Sequence, residues 1–118
     1  TPFQGNHKRV LCVCSAGLLR SPTAAEVLTR EYGHNTRACG TEDYAIIPLT
    51  TVLLHWADEI VCMEDRQEFI IRATLRADGL DRPIVNLHLP DSFEFRNETL
   101  VNLILKNYPE TTQTLDSQ

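Results

Sequence analysis

Cys14 and Arg20 are separated by five residues, and the dipeptide Ser21-Pro22 follows them directly. A cysteine acts as a nucleophile in its thiolate form, which positively charged surroundings stabilise. Arginine presents a planar fork of N–H donors that matches two oxygens of a phosphate group. The spacing therefore predicts a site in which the Cys14 sulfur faces a bound oxyanion and Arg20 clamps that anion.

The segment between the two residues, SAGLL at 15–19, has the features of an anion-binding loop. Gly17 supplies the conformational freedom for a tight turn whose amides point inward. Ser21 is expected to cap a helix over 22–32, with Pro22 at its first position. The free N–H groups and the positive dipole end of that helix would face the same anion. The predicted phosphate-binding residues are Ser15, Ala16, Gly17, Leu18, Leu19 and Arg20.

Short apolar runs alternate with helical patterns along the chain. The predicted elements, beginning with a strand and then alternating, cover 9–14, 22–32, 35–40, 48–57, 59–63, 65–76, 83–89 and 97–108. The alternation indicates βαβ units and therefore an α/β fold around a parallel sheet. Ligands of such sheets bind beyond the carboxyl ends of the strands, which is where the first strand places Cys14.

Two helices carry more specific expectations. Pro48 is expected at the first position of the second helix, where its missing N–H group costs little. Trp56, near the end of that helix, is expected to pack in the core. The apolar spacing of Phe69, Ile70 and Ala73 indicates the third helix.

The composition is that of an ordinary globular domain. The chain has 118 residues, and we predict one domain over 1–118 with frayed polar termini at 1–7 and 110–118. The formal net charge of −5 gives no overall attraction to nucleic acid or to anionic membranes. No apolar run is long enough to span a membrane and no secretory signal is evident, so a cytoplasmic location with reduced cysteines is expected.

Stretches along most of the chain resemble the low-molecular-weight protein tyrosine phosphatases. VCSAGLLRSPTAAEVL is similar to their phosphate-binding loop and first helix, and RACGTEDY to their second strand and the loop after it. WADEIVCMEDRQEF is similar to their third strand and its helix, and LPDSFEF to the late loop that carries an acidic residue. The resemblance covers roughly 9–108 and implies a three-layer α/β/α fold with a four-stranded parallel sheet.

The resemblance also implies an activity, the hydrolysis of phosphotyrosine in proteins and of small aryl phosphates through a cysteinyl-phosphate intermediate, with no metal or cofactor. Cys14 matches the nucleophile, Arg20 the phosphate clamp and Ser21 the hydroxyl that steadies the thiolate. Asp91 matches the general acid, and its place just past the 83–89 strand puts it at the same sheet edge as Cys14.

The chain departs from the family pattern in its loop and its length. Gly17 replaces an Asn that is usual in the family, Leu19 replaces a second cysteine, and the segment before the acid loop is short. Tyr44 and Phe93 are candidates for the wall of the substrate pocket. The remaining cysteines are expected to be buried packing residues, namely Cys12, Cys39 and Cys62.

Two alternative functions stay open. One is an arsenate reductase on the same fold, which would need resolving cysteines after the third strand, where EDRQEFIIRATLRADGL contains none. The other is a module that binds phosphate or phosphopeptides without hydrolysing them, because the loop is altered. The sequence pattern specifies no oligomeric state.

Overall fold

A computed structural model describes residues 8–15, 20–42, 45–89 and 97–108. Strands and helices alternate through these residues, as the sequence pattern predicts. The elements are β1 (Arg9–Cys14), α1 (Arg20–Tyr32), β2 (Asn35–Gly40), α2 (Thr51–Trp56), β3 (Glu59–Cys62), α3 (Asp65–Ala77), β4 (Ile84–Asn86) and α4 (Asn97–Asn107).

The strands form one parallel sheet in the order β2-β1-β3-β4, so β1 lies in its interior. Alternate residues of β1 point to opposite faces of the sheet. Val10, Cys12 and Cys14 pack against α1 and α4, whereas Leu11 and Val13 pack against α2 and α3. The chain therefore has the expected three-layer α/β/α fold, and the carboxyl ends of its strands meet at one edge.

Helix α1 begins at Arg20, two residues earlier than predicted. Ser21 lies inside the first turn, so the prediction that it caps the helix is wrong. Its hydroxyl is used in contacts with Cys14 and Cys39 instead. Pro22 remains within the first turn, where a helix needs no N–H donor.

Helix α2 begins at Thr51, not at Pro48. Pro48 forms an isolated parallel bridge with Gly40, whose amide donates to the Ile47 carbonyl at 3.0 Å. The segment around Pro48 is thus held in extended form beside β2. Thr50 caps the helix, with its side chain accepting from the Leu53 amide at 3.3 Å.

Strand β4 is shorter than the predicted 83–89 segment. His88 has a positive φ of 52°, which ends the regular strand geometry. Hydrogen bonds to β3 and to the residue after it continue nevertheless. The Leu87 amide donates to the Cys62 carbonyl (2.9 Å), and the Leu89 amide donates to the Met63 carbonyl (2.7 Å). The chain therefore stays beside the sheet as far as Leu89.

Helix α3 is present as predicted, but it turns a different face to the core. Its buried residues are Gln67, Ile71 and Leu75, whereas Phe69 is 75% exposed. Trp56 is half-buried against the core, and the Arg37 guanidinium lies 4.6 Å from the centroid of its ring.

The predicted frayed termini, 1–7 and 110–118, lie outside the described residues, and the single domain over 1–118 stays a prediction. In the part of the chain that the structure describes, no helix is both long and apolar enough to cross a membrane.

Candidate active site

Cys14 ends β1 at the carboxyl edge of the sheet and is only 3% exposed. Its Sγ donates to Ser21 Oγ at 3.1 Å, and Ser21 Oγ donates in turn to the Cys39 carbonyl at 3.2 Å. Ser21 is fully buried, because the first turn of α1 places it under the end of β1. The hydroxyl of Ser21 can rotate and donate to the sulfur when Cys14 is a thiolate.

Arg20 is the first residue of α1, and its side chain is 11% exposed. Its Nη1 donates to Glu64 Oε2 at 2.8 Å. Glu64 follows the end of β3, the strand next to β1, so the pair lies at the same edge as Cys14. This bond uses one of the five N–H groups of the guanidinium, and the fork retains donors for an oxyanion.

Ser15, directly after Cys14, is held from two sides. Its carbonyl accepts from the Glu42 amide at 2.9 Å, and its Oγ accepts from Gln67 Nε2 at 3.1 Å. Gln67 is fully buried, and its Oε1 accepts from the amides of Met63 and Glu64 at 3.0 Å each. The start of the predicted phosphate-binding loop is therefore fixed to α3.

Glu64 and Gln67 are site residues that the sequence reasoning missed. Both come just after the carboxyl end of β3, and polar residues at that place in a parallel sheet are a recognisable signal. The fold brings them to the loop across the β1–β3 pairing.

The other cysteines, Cys12, Cys39 and Cys62, are free and fully buried, as predicted. Burial raises the pKa of Cys39 to about 12, and that of Cys62 to about 12. Burial also raises the pKa of Cys12, assisted by nearby acidic groups. These side chains are thiols at neutral pH.

A surface cleft of about 360 Å³ lies beside the Arg20–Glu64 pair, lined by Glu64, Asp65, Arg66, His88 and Leu89. His88 Nδ1 lies 3.3 Å from Asp65 Oδ1, and Arg66 Nη2 lies 2.8 Å from Glu42 Oε2. Leu89, which lines this cleft, is the last described residue before the predicted acid loop.

The remaining predicted site residues lie outside the described residues, namely Ala16, Gly17, Leu18, Leu19, Tyr44, Asp91 and Phe93. Of the predicted set, Cys14 and Ser21 are in direct contact, whereas Ser15 and Arg20 contact Gln67 and Glu64 at the start of α3. The described chain reaches the same edge again at Leu89, two residues before Asp91.

The architecture matches that of solved phosphatases. A low molecular weight protein tyrosine phosphatase from Bacillus subtilis is 16% identical, over 93% of this chain and 98% of its own, with a TM-score of 0.61. The chain has the low-molecular-weight protein tyrosine phosphatase fold. No protein-family model matches the sequence, and no curated protein does.

Two further solved structures share this low-molecular-weight phosphatase fold. The tyrosine phosphatase Wzb from Escherichia coli, in complex with phosphate, is 17% identical over 92% of this chain and 99% of its own, with a TM-score of 0.66. The YwlE arginine phosphatase from Geobacillus stearothermophilus is 17% identical over 91% of this chain and 94% of its own, with a TM-score of 0.64. The resemblance read from the sequence is confirmed at the level of the fold.

Proposed function

We propose that this protein is a cysteine-dependent phosphatase that hydrolyses phosphotyrosine in proteins and also small aryl phosphates. The observation that carries the proposal is the Cys14 thiol at the carboxyl end of an interior strand, 3.1 Å from the buried Ser21 hydroxyl. Arg20, one residue before Ser21, supplies the cation for a phosphate. Solved proteins with the same fold are phosphatases, which supports the reaction class.

In the first step, the Cys14 thiolate attacks phosphorus and the bond from phosphorus to the ester oxygen breaks. Arg20 and the amides of the loop hold the non-bridging oxygens, whose charge is greatest in the transition state. Asp91, as the acid, gives its proton to the leaving phenolic oxygen. The products of this step are the free phenol and a cysteinyl phosphate.

In the second step, water attacks phosphorus and the sulfur–phosphorus bond breaks. The Asp91 carboxylate accepts the proton of the water, and inorganic phosphate leaves. Ser21 can turn its proton from the Cys39 carbonyl toward the sulfur as the thiolate is released. Stabilising this leaving thiolate is the role we assign to Ser21.

The arsenate reductase alternative is disfavoured by the positions of the other thiols. Cys12, Cys39 and Cys62 are buried and have raised pKa values, whereas a resolving cysteine must reach its partner and react as a thiolate.

Burst kinetics with p-nitrophenyl phosphate test the proposal. Wild type is expected to release a burst of nitrophenol equal to the enzyme present, and Cys14→Ser is expected to show neither burst nor turnover. Cys62→Ala is the matched control, since it removes a buried thiol from the opposite face of the sheet and should keep the burst.

Asp91→Asn should lower turnover by about 10²–10⁴-fold while phosphate still binds. A wild-type protein that binds vanadate but hydrolyses no aryl phosphate would instead be a phosphate-binding module.

The substrate is tested separately, because solved proteins with this fold include both a tyrosine phosphatase and an arginine phosphatase. One peptide is prepared with phosphotyrosine and with phosphoarginine at the same position. We expect a higher kcat/KM for the phosphotyrosine form, and the reverse order would reassign the substrate without changing the role of Cys14.

A further inference from the structure

We propose that Gln67, in the first turn of α3, is a positioning residue that fixes the start of the phosphate-binding loop before phosphate arrives. The inference rests on the proposed phosphatase function and adds to it a buried residue of α3 that acts through Ser15.

The first observation is that both polar atoms of the Gln67 side chain have hydrogen-bond partners. Polar side chains with no exposed surface are uncommon and are retained where they are hydrogen-bonded. Gln67 Oε1 accepts from the amides of Met63 and Glu64, which fixes the plane of the side-chain amide. With that plane fixed, Nε2 is aimed at Ser15 Oγ, 3.1 Å away.

The second observation is where Ser15 lies. Its own amide is the first after Cys14 in the predicted nest, so its orientation decides where the anion sits above the sulfur. Glu42 holds the Ser15 carbonyl from the side of β2, and Gln67 holds its hydroxyl from the side of α3. Ser15 is therefore held between the segment that follows β2 and the first turn of α3.

The third observation is that the same turn of α3 also reaches the far end of the loop. Glu64, three residues before Gln67, accepts from Arg20 at 2.8 Å. One short segment, from Glu64 to Gln67, therefore contacts the residues on either side of the predicted loop, Ser15 and Arg20. Donors held in place in advance stabilise a transition state without reorganising during the reaction, which is how a residue outside the site affects the rate.

A double-mutant cycle distinguishes a positioning role of Gln67 from an effect on the stability of the fold alone. Gln67→Met keeps the size of the side chain but removes its hydrogen bonds, and Ser15→Ala removes only the acceptor. Each variant is expected to weaken the binding of inorganic phosphate about tenfold and to lower kcat/KM for p-nitrophenyl phosphate by a similar factor. The double variant should be little worse than the poorer single one, because both changes break the same contact.

Tyr108→Phe is the matched control. It removes another buried side-chain hydrogen bond, from Tyr108 Oη to Glu59 Oε1 at 2.6 Å, at the amino end of β3 and away from the site. It should lower the melting temperature and leave phosphate affinity and kcat/KM unchanged. If Gln67→Met does not fold, Gln67→Asn takes its place, since its shorter amide cannot span both the backbone amides and Ser15.

The outcomes are distinct from those that test the reaction itself. The proposal is overturned if a folded Gln67 variant hydrolyses substrate and binds phosphate as wild type does, or if the effects of the two single changes multiply. A wild type that binds phosphate but does not hydrolyse p-nitrophenyl phosphate would overturn the phosphatase proposal. The double-mutant cycle could still be measured through the affinity for phosphate. A wild type that does neither would overturn both.

Discussion

The Arg20–Glu64 pair places a carboxylate beside the position where we propose a phosphate dianion binds. The contact is short, 2.8 Å, and partly shielded, since the two side chains are 11% and 28% exposed. Glu64 keeps the guanidinium at the sheet edge, but its own charge repels the anion. At the scale of single residues, these two effects oppose each other, and substitution can separate them.

Glu64→Gln is expected to tighten the binding of inorganic phosphate by about two- to tenfold. The glutamine still offers an oxygen to Arg20 Nη1, whereas the negative charge near the anion is gone. The inhibition constant of phosphate against p-nitrophenyl phosphate measures the change.

Glu68→Gln is the control for this change in charge. Glu68 lies on the same helix, pairs with Arg72 at 2.8 Å and is 26% exposed, so the loss of net charge is matched away from Arg20. Phosphate binding should change less than in Glu64→Gln. Weaker binding in Glu64→Gln would mean that alignment by the full carboxylate outweighs its repulsion of the anion.

The part of the site that could be predicted from sequence is the part that is local in sequence. Cys14 and Ser21 are seven residues apart, so one strand, one loop and one helical turn are enough to bring them together. The Glu64–Arg20 and Gln67–Ser15 contacts span 44 and 52 residues. They depend on β3 pairing directly with β1, and an alternation of strands and helices does not specify which strands are neighbours.

At the scale of elements, the differences between prediction and structure concern where a helix begins and which of its faces is buried. Pro48 is suited to the first turn of a helix, but the bridge to Gly40 holds it in the extended edge of β2. In α3, the buried positions are Gln67, Ile71 and Leu75, spaced four residues apart. Because one of them is polar, a search for apolar spacing selects the exposed Phe69 instead. In both places, contacts between distant parts of the chain, rather than the local sequence pattern, determine the observed structure.

Thr50→Ala is expected to lower the free energy of unfolding by about 1 kcal/mol, because it removes the side-chain cap of α2. Helix α2 has six residues, so few other hydrogen bonds fix its start. Urea unfolding followed by circular dichroism measures the change. Thr51→Ala is the control at the next position, and it should be neutral or slightly stabilising, since alanine is the better helix former. Equal losses in both variants would show that the cap contributes nothing.

At the scale of the whole molecule, the sheet interior holds several thiols close together. Strand alternation puts Cys12 on the same face as Cys14, and puts Cys39 and Cys62 on the other. The three besides Cys14 ionise far less readily when folded than in an unfolded chain, where a cysteine titrates near pH 8.5. The whole fold is thereby made sensitive to alkaline pH.

Because burial raises the pKa of these thiols, the stability that they contribute is complete below about pH 8.5 and is lost as the pH rises. Between about pH 10 and 11 the native state binds roughly three more protons than the unfolded state, and each such proton lowers the free energy of unfolding by about 1.4 kcal/mol per pH unit. We therefore expect a slope of about −4 kcal/mol per pH unit from these thiols. Urea unfolding at closely spaced pH values measures it.

Single cysteine variants assign that slope to particular thiols. Cys39→Ala and Cys62→Ala should each make it less steep by about 1.4 kcal/mol per pH unit. Both alanine variants will be less stable at pH 7, because a buried side chain is shortened. The change in slope is independent of that offset, since the offset is constant with pH. A slope that stays the same in Cys39→Ala would mean that its thiol ionises as readily in the folded protein as in the unfolded chain.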